Sequence, residues 1–210
     1  MNSLSVNTSA RSTSICINSN NNLHSKFLDS NKPNHCEVLI PMVNEALSET
    51  GISLKNLDEI RVNTGPGNLV SLRIGITFVN VLSRNLNIPV YGIPSFYAHI
   101  NRKKIQKSAY LIAINIRNGF YSYAKIDSCS MQIIDFNLRA SKNILHSISL
   151  NDCVLLSDSL IDDVLIDMGF KENIISADDL ARVDVYNLTS LVQQDSPIKP
   201  INEYSFIVNN

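Results

Sequence analysis

The sequence predicts an α/β protein of two lobes, each built on a mixed sheet flanked by helices. Three observations carry this expectation. Short apolar runs separated by turns open the chain, two long helical patterns enclose a strand-like run, and a polar, basic break at residues 101–107 precedes a second set of strand-like runs. A chain of 210 residues can bury one large core or two small ones. The expected division is residues 1–101, a lobe carrying the long helices, and residues 102–210, a smaller lobe.

The first runs, Ser3–Val6, Thr13–Ile17 and Leu23–Leu28, read as strands of an antiparallel meander, with an Asn-rich turn at Asn18 to Asn22. From Asn34 to Thr50 the apolar residues Val38, Leu39, Met42, Val43, Ala46 and Leu47 recur at helical spacing. Asn34 is placed as the cap and Gly51 as the stop, with Pro41 predicting a kink inside. A strand at Glu59 to Asn63, a loop Thr64-Gly65-Pro66-Gly67-Asn68, a helix from Leu69 to Leu86 and a strand at Pro89 to Ile93 make a crossover unit. A short helix is expected at Ser95 to Asn101. Beyond the break, Tyr110–Ile116, Phe120–Ile126, Met131–Leu138 and Val154–Leu156 read as strands, and Ser159–Met168 and Asp178–Gln194 as helices. No repeat of fixed period is visible.

Composition excludes several functions. The formal net charge is -1, charged residues make up 18% of the chain, and Arg102-Lys103-Lys104 is its longest basic run. Binding of a nucleic acid driven by phosphate neutralisation needs a basic excess, so RNA contact is expected only indirectly. Cys16, Cys36, Cys129 and Cys153 lack the paired spacing of a zinc or redox site, and His24, His35, His99 and His146 form no helical pair. Seven glycines are about half the average share, leaving little material for a phosphate-cradling loop. No metal or cofactor is therefore expected. Neither a signal peptide nor a run of roughly 20 apolar residues is present, which predicts a cytoplasmic protein without membrane contact.

Projected at about 100° per residue, the Leu69–Leu86 helix gathers Arg73, Thr77, Asn80 and Arg84 into one polar sector. Val70, Ile74 and Val81 face one way, and Leu72, Ile76, Val79 and Leu86 another, with the small residues Ser71, Gly75 and Ser83 between. That is more apolar surface than one sheet needs. Two readings stand. The helix is sandwiched within its own domain, or it pairs with the Asn34–Thr50 helix to dock on a partner through Leu39, Met42, Val43, Ala46, Leu72, Ile76, Val79 and Ser83. In the second, each large apolar side chain buried would contribute roughly 1.5–3 kcal/mol.

Between residues 35 and 96 the segments Val38-Leu39-Ile40-Pro41-Met42-Val43, Gly65-Pro66-Gly67, Leu72-Arg73-Ile74-Gly75 and Ile88-Pro89-Val90 keep the order and spacing of a known pattern. In them the chain resembles the TsaB family, partner proteins of bacterial tRNA threonylcarbamoyladenosine (t6A) synthesis. The resemblance implies an actin-like, ribonuclease H-like fold and a scaffold without catalysis. It implies a TsaD-like catalytic subunit and a TsaE-like ATPase as partners, with a homodimer through the same helices as an alternative pairing. Gly65, Pro66, Gly67, Arg73 and Gly75 match the family loop. Asn7 and Asn115 stand where the family has acidic residues, and Asn68 to Ser71 depart from its Ser-Phe-Thr-Gly. An amide at Asn7 removes charge a metal would need. The competing readings are an active actin-like ATP-dependent transferase or kinase, and a diverged homodimer outside the pathway.

Overall fold

The computed structural model describes residues 1–9, 12–29, 34–100, 107–117, 119–157, 161–172, 175–183, 193–194 and 197–201. The Arg102 to Lys104 run and most of the helix expected up to Gln194 lie outside them.

The expected meander is present as β1 (Asn2–Asn7), β2 (Ser12–Ser19) and β3 (Asn22–Asp29), paired antiparallel in that order. Helix α1 (His35–Thr50) follows. Asn34 occupies its cap position but its side chain makes no capping bond. Gly51, at φ +68°, ends it in the left-handed conformation that glycine adopts at least cost. Strand β4 (Glu59–Gly65) lies parallel to β1, and β5 (Val90–Pro94) parallel to β4. Between them runs α2 (Leu69–Leu86), with the boundaries that periodicity predicts. The Asn68 side chain caps α2, accepting from the Val70 and Ser71 amides at 3.1 and 3.2 Å. Helix α3 (Ser95–Ile100) closes this half.

The second half repeats the plan without repeating the sequence. Strands β6 (Ala109–Arg117), β7 (Phe120–Asp127) and β8 (Ile133–Ser141) form an antiparallel meander. Helix α4 (Lys142–Ser147), β9 (Cys153–Ser157), α5 (Asp163–Asp167) and β10 (Lys171–Glu172) follow, with β6, β9 and β10 parallel. The second sheet thus orders its five strands third, second, first, fourth, fifth, and β1 to β5 stand in the same order within the six-stranded first sheet, as two mixed sheets flanked by helices. Helix α4 was not expected. It is six residues long and buries only Leu145, too little to show periodicity.

Helix α6 (Ala177–Ala181) and β11 (Gln193–Gln194) return to the first sheet, where β11 pairs with β5. The first sheet therefore has two different faces. Leu4, Val6, Ile15, Ile17, Ile60 and Val62 meet α1 and α2 in an apolar core. The alternate residues on β1, β2 and β4 include Ser3, Ser5, Asn7, Ser14, Glu59, Arg61 and Asn63, all buried. Arg61 bonds Glu59 at 2.7 Å and donates to the carbonyls of Leu180, Ala181 and Val183, the C-terminal end of α6. A second core, with Ile93, Phe96, Ile112, Ile114 and Leu180, joins α3 and α6 to one face of the second sheet, and a third covers its other face.

Candidate docking surface

The family loop sits where β4 turns into α2, and the amides of Gly65 and Asn68 in it are already bound. Gly65, at φ +96°, donates its amide to Asn63 Oδ1 at 2.8 Å. Pro66 follows through a cis peptide and has no amide to offer. The Asn68 amide donates to the Ser9 carbonyl at 2.9 Å. A Cβ on Gly67 would lie 2.8 Å from that same carbonyl oxygen, and one on Gly75 would lie 2.5 Å from Thr8 Oγ1. These glycines allow the loop and α2 to close on the segment Asn7-Thr8-Ser9. Two of the first amides of α2, those of Val70 and Ser71, which could serve an anion if open, are taken by the Asn68 side chain.

Asn7 and Asn115 are likewise engaged. Asn7 is fully buried; its Nδ2 donates to the Ile175 carbonyl at 2.8 Å and its Oδ1 accepts from the Ser9 amide at 3.0 Å. Asn115 Nδ2 donates to Asp162 Oδ2 at 3.2 Å, beside the Tyr121 hydroxyl bonded to the same oxygen. Burial, then that hydrogen bond, pushes the Tyr121 phenol well above its ordinary range. An aspartate at either position would lose a donor and, at residue 115, face the carboxylate of Asp162. Among the described residues no group of three or more His, Cys, Asp or Glu is placed to hold a metal ion.

The predicted partner face needs a correction. Leu39, Val43, Ala46, Leu72, Ile76 and Val79 are buried in the apolar core against the first sheet, with Met42 half-buried beside them. Ser83 is buried too, and its hydroxyl donates to the Ile88 carbonyl at 2.7 Å. Of the two apolar faces of α2, the sheet takes the one whose centre lies farther from the polar sector, which is the Leu72, Ile76, Val79 face. What remains outside is the other one.

That outer face forms an open groove of about 720 Å³ between the start of α1 and the length of α2. Its walls include Cys36 and Ile40 from α1, and Val70, Ile74, Phe78 and Val81 from α2. Ile40 is 54% exposed, Val70 70% and Val81 57%. Arg73 and Thr77, also exposed, lie along the same wall. Sequence reasoning passed over Ile40, Phe78 and Val81 as partner residues, although the polar sector was the available signal. Val70 and Val81 lie beside the exposed Thr77 at the edge of that sector, and Ile74 next to them.

Comparison with known proteins supplies a relationship. A family model described as TsaD, tRNA N6-adenosine threonylcarbamoyltransferase, matches residues 24–126. The tRNA threonylcarbamoyladenosine biosynthesis protein TsaB of Buchnera aphidicola subsp. Schizaphis graminum is 30% identical over 118 residues, covering 55% of this chain and 56% of that protein. The TsaB of Buchnera aphidicola subsp. Acyrthosiphon pisum is 29% identical over 124 residues, covering 58% and 56%. The chain resembles TsaB. Its match spans little more than half the length of these TsaB relatives. A tRNA N6-adenosine threonylcarbamoyltransferase of Clostridium kluyveri is 38% identical over 72 residues, 34% of this chain and 21% of that protein. In fold, the chain is similar to two solved structures. One is an uncharacterized protein with similarity to peptidase YeaZ from Pseudomonas aeruginosa (TM-score 0.77, 17% identity, 95% of this chain and 98% of the other). The other is YeaZ from Pseudomonas aeruginosa (TM-score 0.70, 19% identity, 86% and 88%). The stretch matching the TsaD model contains α1 and α2, and so the whole groove.

Proposed function

We propose that this chain is a non-catalytic partner subunit in the t6A modification of tRNA, and that it docks a TsaD-like catalytic subunit on the α1–α2 groove. The observation that carries this is the open apolar groove in a segment that resembles TsaD as well as TsaB. A TsaD-like chain would have its own counterpart of the helix pair, so two related faces can meet about a pseudo-twofold axis. Burying large apolar side chains such as Ile40, Val70 and Val81 at roughly 1.5–3 kcal/mol each would sustain such a pair.

The bound loop and the two buried or half-buried asparagines support a scaffold over a kinase or transferase in this chain. Four amides at this turn, those of Gly65, Asn68, Val70 and Ser71, donate to Asn63, Ser9 and Asn68 rather than to an anion. A TsaE-like ATPase would then act on the paired complex, and tRNA would be held elsewhere in it, as the formal charge of -1 favours. In this reading the chain divides near residue 101, residues 1–101 carrying the docking helices. Among the described residues no helix is long and apolar enough to cross a membrane.

The test is reconstitution. A TsaD-like protein and a TsaE-like ATPase from the same organism, supplied with threonylcarbamoyl donor and tRNA, should form t6A only when this chain is added. The chain alone should form none. Formation of t6A by this chain without the TsaD-like protein would overturn the non-catalytic reading, and no stimulation on adding it would overturn the pathway role.

A further inference from the structure

The groove contains one permanent charge. Arg73 is exposed on the wall formed by α2, and its guanidinium makes no hydrogen bond or ion pair among the described residues. The other charges of α1 and α2 have explanations within the fold, Glu37 lying in the first turn of α1, where a carboxylate meets the positive end of the helix dipole. Arg84 lies in the last turn of α2, where a cation meets the negative end of the helix dipole. Glu49 bonds both His24 and Lys26 at 2.6 Å, and Glu45 lies 3.1 Å from Lys26. Arg73 sits in the second turn of α2, far from the helix end that would favour it, between Val70 and Thr77. Any chain that fills the groove takes water away from this guanidinium. Desolvating it unpaired would cost more than the neighbouring apolar contacts return.

We infer that Arg73 is a specificity-determining residue of the docking surface, and that the occupant is a TsaD-like helix pair bearing a carboxylate set to meet it. This rests on the proposed docking role and adds to it the charge of the partner. A fork of guanidinium donors matches a carboxylate in two parallel bonds, so the pair fixes the register of one helix on the other as well as the choice of partner. A second copy of this chain fits less well. Its α2 carries no carboxylate, and on its α1 Glu45 and Glu49 are already paired, which leaves Glu37 alone to answer Arg73.

The experiment is a calorimetric titration of the full chain into the TsaD-like protein of the same organism, with four variants whose altered side chains are exposed and whose melting curves establish folding. Arg73→Met should weaken pairing at least about thirty-fold, because the partner's carboxylate is left buried and unpaired. Arg73→Lys should lose less, and Arg84→Met should stay within about threefold of the parent. Val81→Glu should abolish pairing. If Arg73→Met pairs as tightly as the parent while Val81→Glu does not pair, the groove is the interface and the carboxylate inference is wrong. If Val81→Glu pairs like the parent, the groove is not the interface and both readings fall. Self-association of the isolated chain that Glu37→Gln removes would assign the carboxylate to a second copy and overturn the inference.

Discussion

Asn7 illustrates how a single side chain changes its meaning once its surroundings are known. As a sequence feature it is a missing acidic group. In the fold it is a fully buried amide whose donor holds the Ile175 carbonyl and whose acceptor holds the Ser9 amide. Asn7→Asp keeps the acceptor and loses the donor, so it should destabilise the chain by about 1–3 kcal/mol, read as a lower urea midpoint. An unchanged midpoint would mean the bond to Ile175 contributes nothing. The cysteines make a second residue-scale case. Burial pushes the Cys16 thiol up to about 11, from 9.0, while Cys36 and Cys129 are exposed. The unfolded chain releases the Cys16 proton near pH 9 and the folded chain holds it to about pH 11. Between those values the unfolded state binds fewer protons, so stability falls as pH rises. Burial and the Asp135 hydrogen bond push Tyr123 up to about 12, which adds in the same direction above pH 10. Melting temperature should therefore drop from pH 9 to 11, and Cys16→Ala should remove part of the drop. None of this partnering was legible in the sequence, because it joins residues as far apart as 7 and 175.

At the scale of elements, α2 was the most legible part of the molecule, and its orientation the least. A periodicity of eighteen residues fixes a helix and its ends, with Asn68 capping one and Asn87, at φ +55°, closing the other. It does not say which of two apolar faces meets the sheet. The deciding factor is the position of Arg73, Thr77 and Arg84, which must stay wet and so turn the apolar face whose centre is farther from them inward. Two substitutions separate the faces. Ile76→Glu buries an unpaired carboxylate in the apolar core and should destabilise by more than about 4 kcal/mol, enough to remove cooperative melting from a marginal domain. Val81→Glu, on the exposed side, should melt within about 0.5 kcal/mol of the parent. Equal effects from the two would mean that α2 is not oriented as described. Short elements behaved differently: α4 and β10 have too few residues for a period to register and are set by their place beside the second sheet.

For the whole molecule, the meander, the crossover unit and the strands of the second half were readable from alternation and turns. The matching order of the two sheets was not, since it is a property of pairing between strands with no shared sequence. Nor did the chain announce that α6 returns to the first sheet, because the face it covers is lined by serines, Asn7 and the Glu59–Arg61 pair rather than by apolar residues. Arg61 is the link that holds this closure, through Glu59 and three carbonyls. Arg61→Ala should cost about 3–5 kcal/mol by leaving the carboxylate buried without its cation, measured by chemical denaturation. A loss under about 1 kcal/mol would show that apolar packing alone keeps α6 in place. In the proposed role, the outer faces of α1 and α2 receive a TsaD-like subunit. Amide hydrogen exchange of this chain, with and without that subunit, tests it most directly. Added protection should concentrate in His35–Thr50 and Leu69–Leu86; added protection confined to the second sheet, with these helices unchanged, would mean that the subunit docks elsewhere.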